Sequence, residues 1–171
     1  PKLIPWIAIA AFAGLRTSEI MRLDWSDIHL DRKTVDISAE KAKTQSRRSV
    51  PLCDSAVLWL KAFEKEEGRI APYAQENKVV GAIKSDLKAY RKNKGGKFKW
   101  KRNGFRHGFC SYRLAILKDL QKVAYEAGNS PPMIQRHYHE LVPEEEAKHW
   151  FSVSPSPNQI KVIPLPSSVS L

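Results

Sequence analysis

The stretch AGLRTSEI, residues 13–20, decides how the chain begins to fold. An apolar run, Leu3 to Ala13, leads into it, and Gly14 is the residue type that most readily ends a helix in the left-handed conformation. The pair Thr17-Ser18 is well suited to begin a second helix. The stretch therefore predicts a buried first helix, a tight turn that carries Arg16, and a second helix directly after it.

Three short segments with alternating apolar and polar residues follow. They are Trp25 to Ile28, Thr34 to Ile37, and Arg48 to Leu52. Alternation with a period of two is typical of half-buried strands, so we expect a small three-stranded antiparallel sheet. The polar segment 40–47 between the last two strands would form a turn that projects Lys41 and Lys43.

The rest of the sequence predicts helices and a tail. Capping residues, apolar spacing and helix-ending glycines mark six helices: from Asp54 or Ser55 toward Gly68, from Val79 to about Arg91, from Phe105 to Ile116, from Asp119 to Gly128, from Pro131 through Tyr138, and from Pro143 through Ala147 to Phe151. We therefore expect a mainly α (α+β) fold with one domain over residues 1–151. Residues 152–171 are rich in Ser, Pro and Val and are expected to form a flexible tail.

The charge pattern points to nucleic acid. The chain has 171 residues, and its 29 Lys and Arg exceed its 18 Asp and Glu, which gives a net charge of +11. Ten basic residues against Asp86 alone lie between Lys84 and Arg106. Such a surplus attracts phosphate groups. The candidates for DNA contact in and near this segment and in the sheet turn are Lys41, Lys94, Lys97, Lys99, Lys101 and Arg102.

Other classes of protein find little support in the sequence. Cys53 and Cys110 form no CxxC pair, so we expect neither a disulfide framework nor a zinc site. His137 and His139 are two residues apart and would face different sides of a helix, so we expect no metal site. The first apolar run is too short to span a bilayer. Since the chain opens on a proline, we expect it to be a fragment of a longer protein.

Four segments, in this order, resemble the catalytic domain of the tyrosine recombinase (phage integrase) family, from Pro1 to about Phe151. The segments are AGLRTSEI at 13–20 continuing through Leu23, Trp25, Asp27 and Ile28; Lys43-Thr44 ahead of VPL at 50–52; NGFRHGF at 103–109; and AGNS at 127–130 leading to HYH at 137–139. The first is the most specific. The resemblance implies that family's fold, a helical domain with one small sheet.

The resemblance also implies roles for individual residues. Tyr138 would be the nucleophile, since a tyrosine hydroxyl can store a phosphodiester bond as a covalent phosphoprotein. Arg16 and Arg106 would hold the phosphate, because guanidiniums offer paired, permanently charged donors to its oxygens. Lys43, rather than Lys41, would protonate the leaving oxygen. The phosphate-binding or supporting residues would be Asn103, His107 and Asn129, and no cofactor or metal would be needed.

The function so implied is site-specific recombination or integration, in which DNA is broken and rejoined through a covalent 3'-phosphotyrosine. The partner would be double-stranded DNA, bound by a homotetramer on paired sites with the help of an N-terminal DNA-binding domain, whereas this fragment alone would be a cytoplasmic, nucleoid-associated monomer. Two alternatives stay open. The family usually has His at the position of Asn103, and His or Trp at the position of Asn129. The two asparagines therefore allow a catalytically weak or silent DNA-binding module. Relaxation of DNA like that by type IB topoisomerases is the other.

Overall fold

The fold is mainly helical and includes one small sheet. The computed structural model describes residues 2–42, 46–94, 101, 103–138 and 142–156. Within these ranges the helices are α1 (Ile4–Phe12), α2 (Thr17–Ile20), α3 (Asp54–Lys61), α4 (Glu76–Lys94), α5 (Gly104–Leu117), α6 (Leu120–Ala127), α7 (Pro131–Tyr138) and α8 (Glu144–Ser152). The strands are β1 (Ile28–His29), β2 (Thr34–Ile37) and β3 (Arg48–Pro51). The expected mainly α fold with a three-stranded sheet is confirmed.

Helix α1 lies at the centre of the main core, as its apolar sequence predicts. Most of its residues are buried, and it packs against α3 and α5. It is followed by Gly14, whose φ of +62° is left-handed, as expected of a residue that ends a helix. A Cβ at this position would lie 2.1 Å from a ring carbon of Phe109, so α5 approaches the turn more closely than any other residue type allows.

The sheet is antiparallel in the order β1-β2-β3. Its buried centre is Val35, which pairs with Ile28 on one side and with Val50 on the other. The predicted first strand is wrong in three of its four residues, because Trp25–Asp27 forms a 3-10 turn and the strand begins only at Ile28. The Asp24 carboxylate accepts a hydrogen bond from the amide of Ser26, and this local capping closes the turn.

Helix α3 also differs from its prediction. It ends at Lys61 instead of continuing toward Gly68. Neither predicted cap is used, because both side chains have other partners. The Asp54 carboxylate accepts from the Lys33 ammonium at 2.7 Å, and the Ser55 hydroxyl donates to the Phe151 carbonyl at 2.8 Å. Helix α4 is longer than predicted at both ends, and most of its residues are exposed.

Helices α5, α6 and α7 pack on one another and enclose a second apolar cluster around Phe109 and Ile134. The Asp119 carboxylate caps α6 by accepting from the amide of Lys122, as predicted. Gly128 ends the helix with a φ of +63°, also as predicted. Helix α7 then begins at Pro131 and carries Tyr138 as its last residue.

Helix α8 lies against its own domain. It packs on α5 and α3, and the Trp150 indole donates to the carbonyl of Ala11 at 3.1 Å. The Trp59 indole in turn donates to the carbonyl of Val153, just past the helix, at 3.0 Å. In the part of the chain that the structure describes, no helix has the length and apolar character needed to cross a membrane. Of the expected tail at residues 152–171, Ser152 is the last residue of α8 and Pro155 is buried, so the prediction is wrong at these two positions. The rest of the tail beyond residue 156 lies outside the described residues.

Candidate active site

Arg16 lies where the first segment of the sequence places it, in the turn before α2. Its guanidinium donates to the Glu19 carboxylate at 3.2 Å, to the Gly128 carbonyl at 2.5 Å and to the Asn129 side-chain oxygen at 2.6 Å. The Glu19 carboxylate also accepts from the backbone amide of Arg16 at 3.0 Å. These bonds join α2 to the turn between α6 and α7. The Arg16 side chain is 18% exposed, so solvent reaches it at this junction.

Arg106, on α5, binds a carbonyl next to the one that Arg16 binds. Its guanidinium donates to the Gly14 carbonyl at 2.6 Å and to the Ala127 carbonyl at 2.7 Å. The residue is only 5% exposed, as expected of a side chain beside the apolar stripe of α5. Arg16 and Arg106 thus bind consecutive carbonyls, and the structure brings together two residues that are far apart in the sequence.

Arg48 is a member of this site that the sequence prediction missed. It is buried, and its guanidinium donates to both oxygens of the Glu19 carboxylate, at 3.2 and 2.8 Å. Its Nε donates to the Glu126 carbonyl at 3.1 Å. A signal for its burial was present, because strand alternation places Arg48 on the same face of β3 as Val50. Glu19 was also missed as a site residue, although it lies three positions after Arg16, at the spacing of a capping box.

The three guanidiniums share one structural feature, the carboxyl end of α6. Glu126, Ala127 and Gly128 each present a carbonyl to an arginine, respectively Arg48, Arg106 and Arg16. Carbonyls at this end of a helix lack intrahelical partners and carry the negative end of the helix dipole. The end of α6 therefore gathers three positive side chains in one place.

Burial and charge shift the pKa values within the cluster. Burial of Arg16 and the nearby charge of Arg106 lower the pKa of Arg16, and the Glu19 carboxylate offsets this only in part. Burial raises the pKa of Glu19, but the hydrogen bonds and charges of Arg48 and Arg16 outweigh it, so the pKa lies below its ordinary value. Glu19 is therefore a carboxylate at neutral pH. The site combines positive charge with partial burial, which suits it to hold an anion.

The two asparagines differ in their places. Asn129 follows the helix-ending Gly128 and gives its side-chain oxygen to Arg16. A guanidinium can only donate, so this bond leaves the amide NH2 of Asn129 as the group that can donate to a further ligand. Asn103 is exposed and left-handed, with a φ of +57°, at the start of α5, and its side chain does not cap the helix.

Tyr138 lies against the helix turn that carries Arg106. Its ring is 4.7 Å from the ring of His107, centroid to centroid, at an angle of 49°. The hydroxyl of Ser111, one turn further along α5, donates to the Tyr138 carbonyl at 3.0 Å. Tyr138 is half-buried, whereas Tyr73, Tyr90 and Tyr125 are exposed. One hydrogen bond and one ring contact with α5 residues therefore hold the last residue of α7 beside the helix that carries Arg106.

The remaining predicted residues fall into three groups. Lys41, at the start of the sheet turn, binds the Asp27 carboxylate at 2.5 Å, so in this structure its ammonium faces the protein. Lys94 and Lys101 are exposed, at the end of α4 and ahead of α5. Lys43, Lys97, Lys99 and Arg102 lie outside the described residues. Among the side chains that the structure does describe, no cluster of three or more His, Cys, Asp or Glu is arranged to hold a metal.

Residues 4–142 match the model of the phage integrase family, which is more than half of the chain. The chain belongs to the phage integrase family. The resemblance inferred from the four sequence segments is thereby confirmed. No curated protein is similar enough in sequence to count as a match.

Several solved structures share the fold. The integrase of the Tn1549 transposon, solved in complex with transposon right end DNA, has a TM-score of 0.65 at 17% identity, over 86% of this chain and 57% of that chain. XerA recombinase has a TM-score of 0.63 at 18% identity, over 86% and 56%. The integrase of mycobacterium phage Brujita has a TM-score of 0.62 at 17% identity, over 95% and 57%. This integrase-family chain thus spans a little over half the length of these relatives.

Proposed function

We propose that this chain is the catalytic part of a site-specific DNA recombinase or integrase that works through a covalent 3'-phosphotyrosine. The observation that carries the proposal is the convergence of Arg16 and Arg106 on consecutive carbonyls at the end of α6, with Tyr138 against the helix turn that follows Arg106. Membership of the phage integrase family supports it. The site thus combines two guanidiniums at one helix end with a tyrosine on the neighbouring helix, and these are the residue types that phosphoryl transfer to a tyrosine needs.

In the proposed step, the Tyr138 hydroxyl oxygen attacks the phosphorus and loses its proton. The bond from phosphorus to the 5'-oxygen breaks, and that oxygen leaves as a hydroxyl after taking up a proton. Charge grows on the non-bridging oxygens, where Arg16 and Arg106 would donate hydrogen bonds that strengthen toward the transition state. The amide NH2 of Asn129 is aligned to add a further donor, since its oxygen is held by Arg16. Lys43 is proposed as the acid that protonates the leaving oxygen.

Rejoining is the reverse of this step. A 5'-hydroxyl attacks the phosphotyrosine, and the tyrosine leaves. The energy of the cleaved phosphodiester is kept in the phosphotyrosine bond, so the proposed reaction needs no ATP. Arg16 and Arg106 would supply the positive charge for which other phosphoryl-transfer enzymes use a metal ion.

Trapping of a covalent adduct tests the proposal. The protein is incubated with a pool of nicked duplexes, from which the short piece with the free 5'-hydroxyl diffuses away after cleavage, and the products are separated on a denaturing gel. We expect a protein–DNA adduct that Tyr138→Phe abolishes. Tyr125→Phe is the matched control, because Tyr125 lies on α6 and is 56% exposed, and this variant should form the adduct like the wild type. An adduct that survives in Tyr138→Phe would refute the assignment of the nucleophile.

A catalytically silent DNA-binding module is the second candidate, and Asn103 is the observation that favours it. An amide cannot accept and release a proton as imidazole does, so general acid–base help at this position is missing. Such help typically contributes about 100- to 10,000-fold to a rate. Asn103→His separates the candidates: faster adduct formation in the variant indicates an active but slow enzyme. If the wild type and Asn103→His both bind DNA and neither forms an adduct, the chain is the silent module.

Double-stranded DNA is the proposed partner, and α4 is the part of the described surface best suited to contact it. Its exposed basic residues are Lys78, Lys84, Lys88, Arg91, Lys92 and Lys94. Binding that uses such residues weakens with salt, by a slope of about 0.9 for each phosphate that is neutralised. We expect Lys88→Glu with Arg91→Glu to weaken binding and flatten this slope, whereas Lys61→Glu, at an exposed position of α3, should leave the slope unchanged. Equal effects of both changes would argue against an α4 interface.

The assembly of the whole protein is a further part of the proposal. A homotetramer on paired DNA sites is proposed for the full-length enzyme. For the chain alone we propose a monomer, because α8 packs on α3 and α5 of its own domain. Light scattering should then give a mass close to 19.5 kDa. A concentration-independent dimer would contradict this.

A further inference from the structure

We propose that Arg48 is a positioning residue for strand cleavage, which holds Arg16 and the turn at 126–129 in the arrangement that binds the phosphate. The inference rests on the proposed function. Arg48 opens β3 and its side chain is 3% exposed, so it is placed to act through other residues and not on DNA itself. Its bonds reach two segments that each carry a site residue, namely α2 through Glu19 and the end of α6 through the Glu126 carbonyl.

The first effect of Arg48 is on the direction in which Arg16 points. Arg48 donates to both oxygens of the buried Glu19 carboxylate, so the Arg16 guanidinium gives that carboxylate only its Nη1. The other nitrogen, Nη2, is thereby directed to Gly128 and Asn129. Without Arg48, the buried carboxylate would depend on Arg16 for its compensating charge. Since paired guanidinium–carboxylate bonds are strong, Arg16 would turn toward Glu19 and away from the phosphate.

The second effect is on the turn itself. A Cβ on Gly128 would lie 2.8 Å from the Arg48 guanidinium carbon, so the guanidinium rests directly against the backbone of the turn. Its Nε also binds the Glu126 carbonyl, which fixes the end of α6. The turn leads to Asn129 and then to α7, which carries Tyr138. Arg48 therefore sets the position of both the phosphate-binding turn and the start of the nucleophile's helix.

The test compares two substrates that differ in charge. One suicide duplex carries an ordinary phosphodiester at the cleaved position, and the other a methylphosphonate, in which a neutral methyl replaces the charged oxygen. Supporting residues typically contribute about 10- to 100-fold, and we expect Arg48→Met to slow adduct formation on the phosphodiester by such a factor. On the methylphosphonate there is no charge for Arg16 to neutralise, so the ratio of the wild-type rate of adduct formation to that of Arg48→Met should fall toward one. Arg16→Met should show the same pattern.

Arg113→Met is the matched control. Arg113 binds the nearly buried Glu126 carboxylate at 2.8 Å and is itself 20% exposed, so its loss also removes an arginine pairing from α6. Any loss of rate in this variant should be equal on the two duplexes. If Arg48→Met also slows both duplexes equally, or slows neither, its role is only structural and the inference is overturned. If Arg48→Met does not fold, Arg48→Lys serves instead, because lysine keeps the charge but lacks the fork that binds both oxygens.

A second readout needs no activity. In DNA-free protein, the NMR resonance of the Asn129 side-chain amide reports its bond to Arg16. We expect this resonance to move in the same direction in Arg48→Met and Arg16→Met, and to stay in place in Arg113→Met. If the wild type forms no adduct, the proposed function fails while this measurement still decides the role of Arg48. An unmoved Asn129 resonance in folded Arg48→Met would overturn the inference.

Discussion

Gly14→Ala should be one of the most damaging single-methyl changes in the chain. The φ of +62° at Gly14 costs an alanine about 1–2 kcal/mol. The added Cβ would also lie 2.1 and 2.5 Å from two ring carbons of Phe109, a side chain that is 1% exposed and belongs to the second apolar cluster. Forcing extra volume into a packed core typically costs about 1–3 kcal/mol. Together these effects predict a loss of about 2–5 kcal/mol in the free energy of unfolding.

Gly81→Ala is the control for this change. Gly81 lies within α4, and no atom lies within 4 Å of a Cβ built there. The same methyl group should therefore stabilise the protein, by about 0.5–1 kcal/mol, through helix propensity. Urea denaturation followed by circular dichroism measures both values. A Gly14→Ala protein as stable as the wild type would refute the close packing of α5 on this turn, and with it the placement of Arg106 beside the Gly14 carbonyl.

Three further predictions concern stability and reactivity. The pKa of Glu19 is lowered in the folded state, so its charge stabilises the protein fully above its ordinary pKa of 4.5, and this stabilisation is lost as the pH falls below that value. Glu19→Gln should remove this part of the pH dependence in urea titrations from pH 7 to 3, and an unchanged profile would contradict the buried pairing with Arg48. Burial raises the pKa of the Cys110 thiol to about 11, so iodoacetamide at pH 8 should label this cysteine only as fast as the protein unfolds. Peptide mapping measures the labelling, and rapid labelling would show that the site opens locally. Trp150→Ala should lower the free energy of unfolding by roughly 3 kcal/mol, since it removes the hydrogen bond to the Ala11 carbonyl and the ring contacts with Phe12 and Tyr112. If urea denaturation detects no loss of stability, α8 is not packed on α3 and α5 in solution.

Much of the fold follows from local signals in the sequence. Gly14 and Gly128 end helices in the left-handed conformation, and Asp119 caps α6, because each of these interactions lies within a few residues. The first strand shows the limit of such reasoning. A segment of four alternating residues fits a strand or a tight turn equally well, and the Asp24 cap decides for the turn at Trp25–Asp27.

The site could be predicted only in part, because some of its residues are far apart in the sequence. Arg16 and Arg106 were identified from segments that resemble a family, and the structure brings both to the end of α6. The roles of Glu19 and Arg48 could not be identified in this way. Arg48 binds the Glu19 carboxylate and the Glu126 carbonyl, which are 29 and 78 positions away from it in the sequence. Alternation along β3 shows that Arg48 points inward, but only the assembled fold supplies the carboxylate and carbonyl that it meets there.

Mapping the DNA-linked residue tests the central claim, that Tyr138 is the nucleophile, most directly. The covalent adduct is digested with nuclease and protease, and mass spectrometry locates the peptide that carries the remaining nucleotide. The chain has five tyrosines, and three of them are more exposed than Tyr138, so non-specific chemistry would favour the others. We predict that the nucleotide is found on Tyr138 alone. A nucleotide on Tyr73, Tyr90 or Tyr125 would contradict the claim.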